Sequence, residues 1–137
     1  MKSLVNFLDA KKDYSLLIAR MIAGWRLIAG GWPFVMHKTP ITDVQDFFIK
    51  INVPLPMISA YISVYAQFFC GLLFILGLWI RPAALIMLIN FSVAIIITHM
   101  NDKIERSFPA WALFAFAILF LAYGAGSLSV DKIKNNK

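Results

Sequence analysis

A chain of 137 residues that is 61% hydrophobic and 15% charged does not read as an ordinary soluble domain, because such domains are roughly 45–50% apolar. Its net charge of +6 is not gathered into a basic patch interleaved with aromatic residues, so the sequence argues against a nucleic-acid partner. The single cysteine, Cys70, excludes an intramolecular disulfide and reads as a small buried hydrophobe.

Residues 1–13 form a polar lead in which Asp9 or Asp13 can cap a helix through a side-chain oxygen. Tyr14–Met36 is the first of four apolar stretches of about membrane-spanning length. Arg20 splits its apolar core and no clean small-x-small site follows, so the segment reads as a retained helix and not a cleaved signal peptide. It ends at Pro33 or shortly after, where a backbone donor is lost. Residues 37–56 form the longest loop, within which Thr42–Ile49 has the pattern of a short amphipathic helix lying on the membrane surface. Val53-Pro54-Leu55-Pro56 stops that helix and leads into the second span, Met57–Ile80. The join Trp79-Ile80-Arg81-Pro82 is tight, with proline suited to the start of the third span, Pro82–Met100. Spans two and three therefore form an antiparallel hairpin. A short charged loop, 101–107, precedes the fourth span, Phe108–Gly124, and the polar tail after Gly126 is expected to fray. The fold class that follows is all-α: an integral membrane four-helix bundle, one domain over residues 1–137, with a short interfacial helix between spans one and two.

Lys2, Lys11, Lys12, Arg81, Lys132, Lys134 and Lys137 fall on one side of such a bundle, against Lys38, Lys50, Lys103 and Arg106 on the other. The positive-inside bias then places both termini in the cytoplasm. Trp32, Trp79 and Trp111 lie near predicted span ends and suit interfacial anchoring. Ala19, Ala23, Gly24, Gly30 and Gly31 in span one, with Gly71 and Gly77 in span two, allow close helix approach.

The residues that stand out chemically are Arg20 and Arg26, both inside span one. All seven acidic residues lie outside the four spans. A guanidinium does not lose its proton to escape a low dielectric, and a charge at the bilayer centre costs from roughly 3 to more than 10 kcal/mol. Arg20 lies about two turns before Arg26, and six residues at about 100° each set the two roughly 120° apart around the helix. Arg20 can snorkel toward the cytoplasmic interface; Arg26, near mid-span, is too deep for that. The Arg26 face continues through Gly30, Pro33 and His37, which leave space beside the guanidinium. Arg26 then binds an anionic or carbonyl-bearing group, or is satisfied by backbone carbonyls and by Gln67 or Asn90. Those two amides are the only ones well inside the spans, and helix-to-helix bonding is their default role. His99, closing span three, shares a predicted side with His37, but no metal-ligand spacing is present and no metal is expected.

Taken in order, Arg20-x-x-x-Gly24, Gly30-Gly31, a Leu-Pro segment with Ala60, Gly71-Leu72-Leu73-x-x-x-Gly77-Leu78-x-x-Arg81, His99 and Gly126-x-x-Ser129-x-Asp131 make the chain similar to the DoxX family over nearly its full length. The resemblance implies a small four-helix protein of the bacterial inner membrane, linked in some members to thiosulfate:quinone oxidoreductase or other membrane redox complexes. It implies a quinone as cofactor or ligand near Arg20 and Arg26, and a redox-complex protein as partner within the lipid bilayer; the positions of Gln67, Asn90 and His99 in the spans make them further candidate ligand-binding residues. Homo-oligomerisation is also compatible with it. The chain departs from the family where relatives carry His-Gly and then Lys near the end of helix one, a Glu before the glycine of helix two, and an acidic residue opening helix four. Here Gly30-Gly31 and Phe34, Gln67, and Pro109 stand there instead. The missing carboxylates remove the natural proton carriers. Two other functions compete: a non-catalytic scaffold or assembly factor, and a small anion or lipid transporter.

Overall fold

The computed structural model describes residues 1–99 and 103–135, without the side chains of Lys2, Asn6, residues 8–10, Thr98, His99 and Asn135. It is helical, in the order α1 (Lys2–Val35), α2 (Thr42–Lys50), α3 (Pro56–Leu76), α4 (Ile80–Ala94) with a π-helical turn at Ile95–His99, α5 (Ile104–Tyr123) and α6 (Val130–Asn135). No strand occurs among the described residues.

Four long helices, α1, α3, α4 and α5, form the bundle. The α1–α3 and α4–α5 pairs pack most extensively, α3 joins α4, and α1 meets α5 only lightly. Segments Pro56–Leu76, Ile80–Ile97 and Ile104–Tyr123 are long and apolar enough to cross a membrane. The chain is a membrane protein on that ground. Helix α1 is the longest, at 34 residues or about 51 Å, and its apolar part carries Arg20 and Arg26.

The helices of each pair approach for different reasons. Along α1, Ala23, Gly24, Leu27 and Gly31 are buried on one face. A Cβ added at Gly24 would stand 2.7 Å from the Gly71 carbonyl oxygen, and one at Gly71 would stand 2.8 Å from that of Gly24. Two glycines thus mark the crossing of α1 and α3, where backbone meets backbone. Between α3, α4 and α5, larger residues fill the core. Phe74 and Phe120 meet edge to face at 5.0 Å between centroids, with Met87 and Ala117 fully enclosed beside them. Cys70 lies in this core as a free buried thiol, in the packing role expected of it.

Several boundaries move relative to the sequence-based reading. Helix α1 takes in the polar lead, because nothing between residues 2 and 13 is a helix breaker. Pro33 sits within its last turn, and its carbonyl accepts from the Lys38 and Thr39 amides. The amphipathic α2 forms where expected, but Val44, Phe47 and Phe48 help to wall a cavity instead of facing lipid alone. Helix α5 begins at Ile104, which places Trp111 about two turns inside it. The tail does not fray over the described residues. Gly124 and Gly126 turn it back at positive φ, and α6 follows, with the Ser129 hydroxyl accepting from the Lys132 amide at its start.

Candidate functional site: an arginine clamp and a polar-floored groove

The tail folds back because Arg20 holds it. The Arg20 side chain is 1% exposed. Its Nε donates to the Phe74 carbonyl at 3.0 Å, and Nη2 donates to that of Ile75 at 3.3 Å. Nη1 donates to Ala125 O at 2.6 Å and Leu128 O at 2.9 Å. The first two carbonyls belong to the last turn of α3, which lack intrahelical partners and form the negative end of the helix dipole. The guanidinium therefore replaces a carboxylate with four carbonyl oxygens, and it joins α1, α3 and the tail at one point.

Neighbouring residues complete this end of the bundle. Gly77 closes α3 in the left-handed region at φ 70°, and a Cβ there would run into the Arg20 guanidinium and stand 2.7 Å from Ser129 Cβ. Asp131 accepts from the Trp79 amide at 3.0 Å and the Ile80 amide at 3.4 Å, placing a negative charge at the free N–H groups that open α4. The Asp131 amide in turn donates to the Gly77 carbonyl. Gly77→Ala is expected to lower stability by at least about 1–2 kcal/mol for the left-handed backbone alone, with the blocked guanidinium adding to it; thermal unfolding in detergent reads the shift.

Asp13 fastens the outer edge of the same end. Its carboxylate accepts from the Ser127 hydroxyl at 2.5 Å and the Ser127 amide at 3.1 Å. The hydroxyl bond, then the amide bond, hold its pKa below the ordinary 3.8. A lowered carboxylate pKa stabilises the folded form above the unfolded value, and that contribution is lost as pH falls through the folded one. The protection of the Ser127 amide, the intrinsic exchange rate at each pH divided by its observed rate, should accordingly be unchanged from pH 7 down to about 4 and should fall only below that.

At the other half of the bundle, α1 and α4 stand apart over α3, leaving a groove of about 730 Å³ partly covered by α2. Roughly 300–1,000 Å³ is the usual size of a small-molecule pocket. Its walls are apolar, with Phe34, Phe48, Ile89 and Ile97 among them, but Ser63, Gln67 and Asn90 line it as well. These three are connected: Gln67 Nε2 donates to Ser63 Oγ at 3.3 Å, and Ser63 Oγ donates to Asn90 Oδ1 at 3.1 Å. The two amides singled out from sequence therefore do come together, through a serine that was not singled out. Its signal was its place four residues before Gln67, one turn away on the same face.

Arg26 stands at the lip of this groove. It is exposed, and it makes no hydrogen bond among the described residues. A Cβ on Gly30 would lie 3.5 Å from Gln67 Oε1 and 3.7 Å from Arg26 Nη1. Guanidinium and amide oxygen thus both border the open space over Gly30. Arg20 is not part of this group, since its donors are committed at the tail end. His99 ends the π-helical turn that follows α4, two residues beyond Ile97, and its side chain lies outside the described residues. No cluster of three or more His, Cys, Asp or Glu forms a metal-ligand set among the described residues.

No curated protein and no solved structure matches the chain. A family model, DoxX, matches residues 15–100, a stretch that runs from before Arg20 through the groove-lining part of α4 to the π-helical turn. The chain belongs to the DoxX family.

Proposed function

We propose that this protein is a bacterial inner-membrane component that holds a lipophilic, oxygen-bearing molecule of the quinone or lipid class in the groove between α1, α3 and α4, as an accessory or subunit of a quinone-linked redox complex. In this reading α1 is the fourth span and both termini face the cytoplasm. One observation carries it: Ser63, Gln67 and Asn90 form a connected polar stripe in a groove that is apolar apart from these and Ser59, whose hydroxyl is bonded to the Pro54 carbonyl, with Arg26 at its edge. A polar stripe on an apolar wall is what orients a ligand whose bulk is hydrocarbon. Family membership supports the membrane setting, and the resemblance to redox-linked members supports the complex. The scaffold reading draws on Arg20, whose donors all go to backbone carbonyls.

The test is retention of the molecule through gentle purification. Ala94→Trp places a large ring in the groove one turn beyond Asn90, and Gln67→Leu with Asn90→Leu removes the polar stripe. Organic extraction and mass spectrometry should find about one lipophile per parent chain and a loss of at least tenfold in both variants. Equal retention by parent and variants, with unchanged thermal unfolding, would leave the scaffold reading standing.

A further inference from the structure

The groove's wall is neutral, but its lip is not. The Ser63–Gln67–Asn90 chain satisfies part of its own hydrogen bonding, and no carboxylate lines the groove among the described residues. Arg26 Nη1 borders the same space over Gly30 as Gln67 does, while the covering helix α2 carries Asp43, Asp46 and Lys50. Arg26 lies ten residues before Met36 and twelve after Tyr14, about 15 and 18 Å along the helix. Its side chain cannot reach either end of the span from there. The contrast with Arg20 is direct: one guanidinium has four carbonyl partners, and the other has none among the described residues.

From this we infer that the occupant is an amphiphile with an anionic head, a carboxylate or a phosphate, paired with Arg26, and a single hydrocarbon chain in the groove. The inference rests on the groove reading above and adds the charge of the head. The head receives its N–H donors from the guanidinium alone, since the Gln67 atom nearby is the acceptor Oε1 and Nε2 donates to Ser63, in a low-dielectric setting where charge-assisted hydrogen bonds are strong. The chain runs from Gly30 past Phe34 and Ile89 toward Ile97 and the cover supplied by α2. That posture puts the head near mid-depth, where the bulk bilayer holds no headgroups. Annular lipid therefore does not supply it, and retention reports on the site. Gly30 leaves that space open, since a Cβ there would occupy it at 3.5 and 3.7 Å from Gln67 Oε1 and Arg26 Nη1.

The experiment uses the full chain in phosphatidylcholine nanodiscs, with three probes titrated and counted by native mass spectrometry: palmitate, palmitoyl lysophosphatidate and a neutral decyl-benzoquinone. The parent should bind at least one of the two anions at least tenfold more tightly than the neutral probe, and the tighter anion identifies the head as carboxylate or phosphate. Arg26→Gln should abolish that preference while binding the neutral probe as the parent does; Arg26→Lys should restore part of it. Ala94→Trp should lose all three probes. A parent that binds the neutral probe as tightly as either anion, or an Arg26→Gln variant that keeps the preference, would overturn the anionic head and leave the groove intact. Undiminished binding of every probe by Ala94→Trp would instead sink the groove reading itself.

Discussion

Arg20→Gln should lower folding stability by several kcal/mol, since each buried acceptor left without a donor costs about 1–3 kcal/mol. Against a total stability of roughly 5–15 kcal/mol, that is enough to leave little folded protein after extraction. The loss has two parts. Four carbonyls, at Phe74, Ile75, Ala125 and Leu128, lose their donor, and a buried acceptor without a partner costs more than the bond it made. The tail then loses its anchor to α3, so Asp131 is no longer held against the start of α4. Arg20→Lys should recover only part of the stability, because one ammonium cannot reproduce a planar fork that bonds two segments on opposite sides. Thermal unfolding in detergent measures the first effect. Proteolysis after residue 124 measures the second, and it should accelerate in both variants. A stable Arg20→Gln protein with a protected tail would contradict the clamp.

Gly24→Leu should be comparably damaging for a different reason. A Cβ at Gly24 meets the Gly71 carbonyl and Ile75 Cγ1, both at 2.7 Å, and the carbonyl cannot swing aside as a side-chain tip can. Overpacking of this kind costs about 1–3 kcal/mol, and more where backbone must move. Here α1 would have to separate from its main partner. Gly30→Ala is the control: its Cβ would meet only ordinary contacts at 3.5 and 3.7 Å, and alanine gains about 1 kcal/mol of helix propensity over glycine. Gly30→Ala should therefore fold at least as well as the parent while weakening retention in the groove. Equal unfolding temperatures for Gly24→Leu and the parent would show that the glycine crossing does not set the α1–α3 distance.

Much of the fold was legible because hydrophobic length is a strong signal. The α2 helix, the α3–α4 hairpin and the close α1–α3 contact all follow from local patterns: amphipathic spacing, a tight Gly-to-Pro join, and small residues on one face. The two arginines were harder to rank. Depth along a span suggested that Arg26 was the enclosed one and that Arg20 reached the interface. Angular position decides the matter. Arg20 is seven residues before Leu27 and three before Ala23, on the buried stripe, whereas Arg26 is about 120° away on the exposed side. The tail was misjudged because its order depends on contacts about a hundred residues distant in sequence, with Arg20 and Asp13. A polar composition carries no trace of such partners. The groove lay between these cases: Gln67 and Asn90 could be named from sequence, but their convergence needed Ser63 and the spacing of α1 from α4, which is a tertiary property.

The separation of roles between the two arginines has one direct measurement. A palmitate analogue with a diazirine near the chain end can be photolysed in nanodiscs containing the parent protein, and the labelled peptides mapped. Labels should concentrate on the groove wall, at Phe34, Ile89, Val93 and Ile97 and on the inner face of α2, and should disappear when unlabelled palmitate is added. Labels spread evenly over the outward faces of α1 and α5, or gathered near Arg20 and Ser129, would contradict the assignment of the groove as the site and of Arg20 as its structural counterpart.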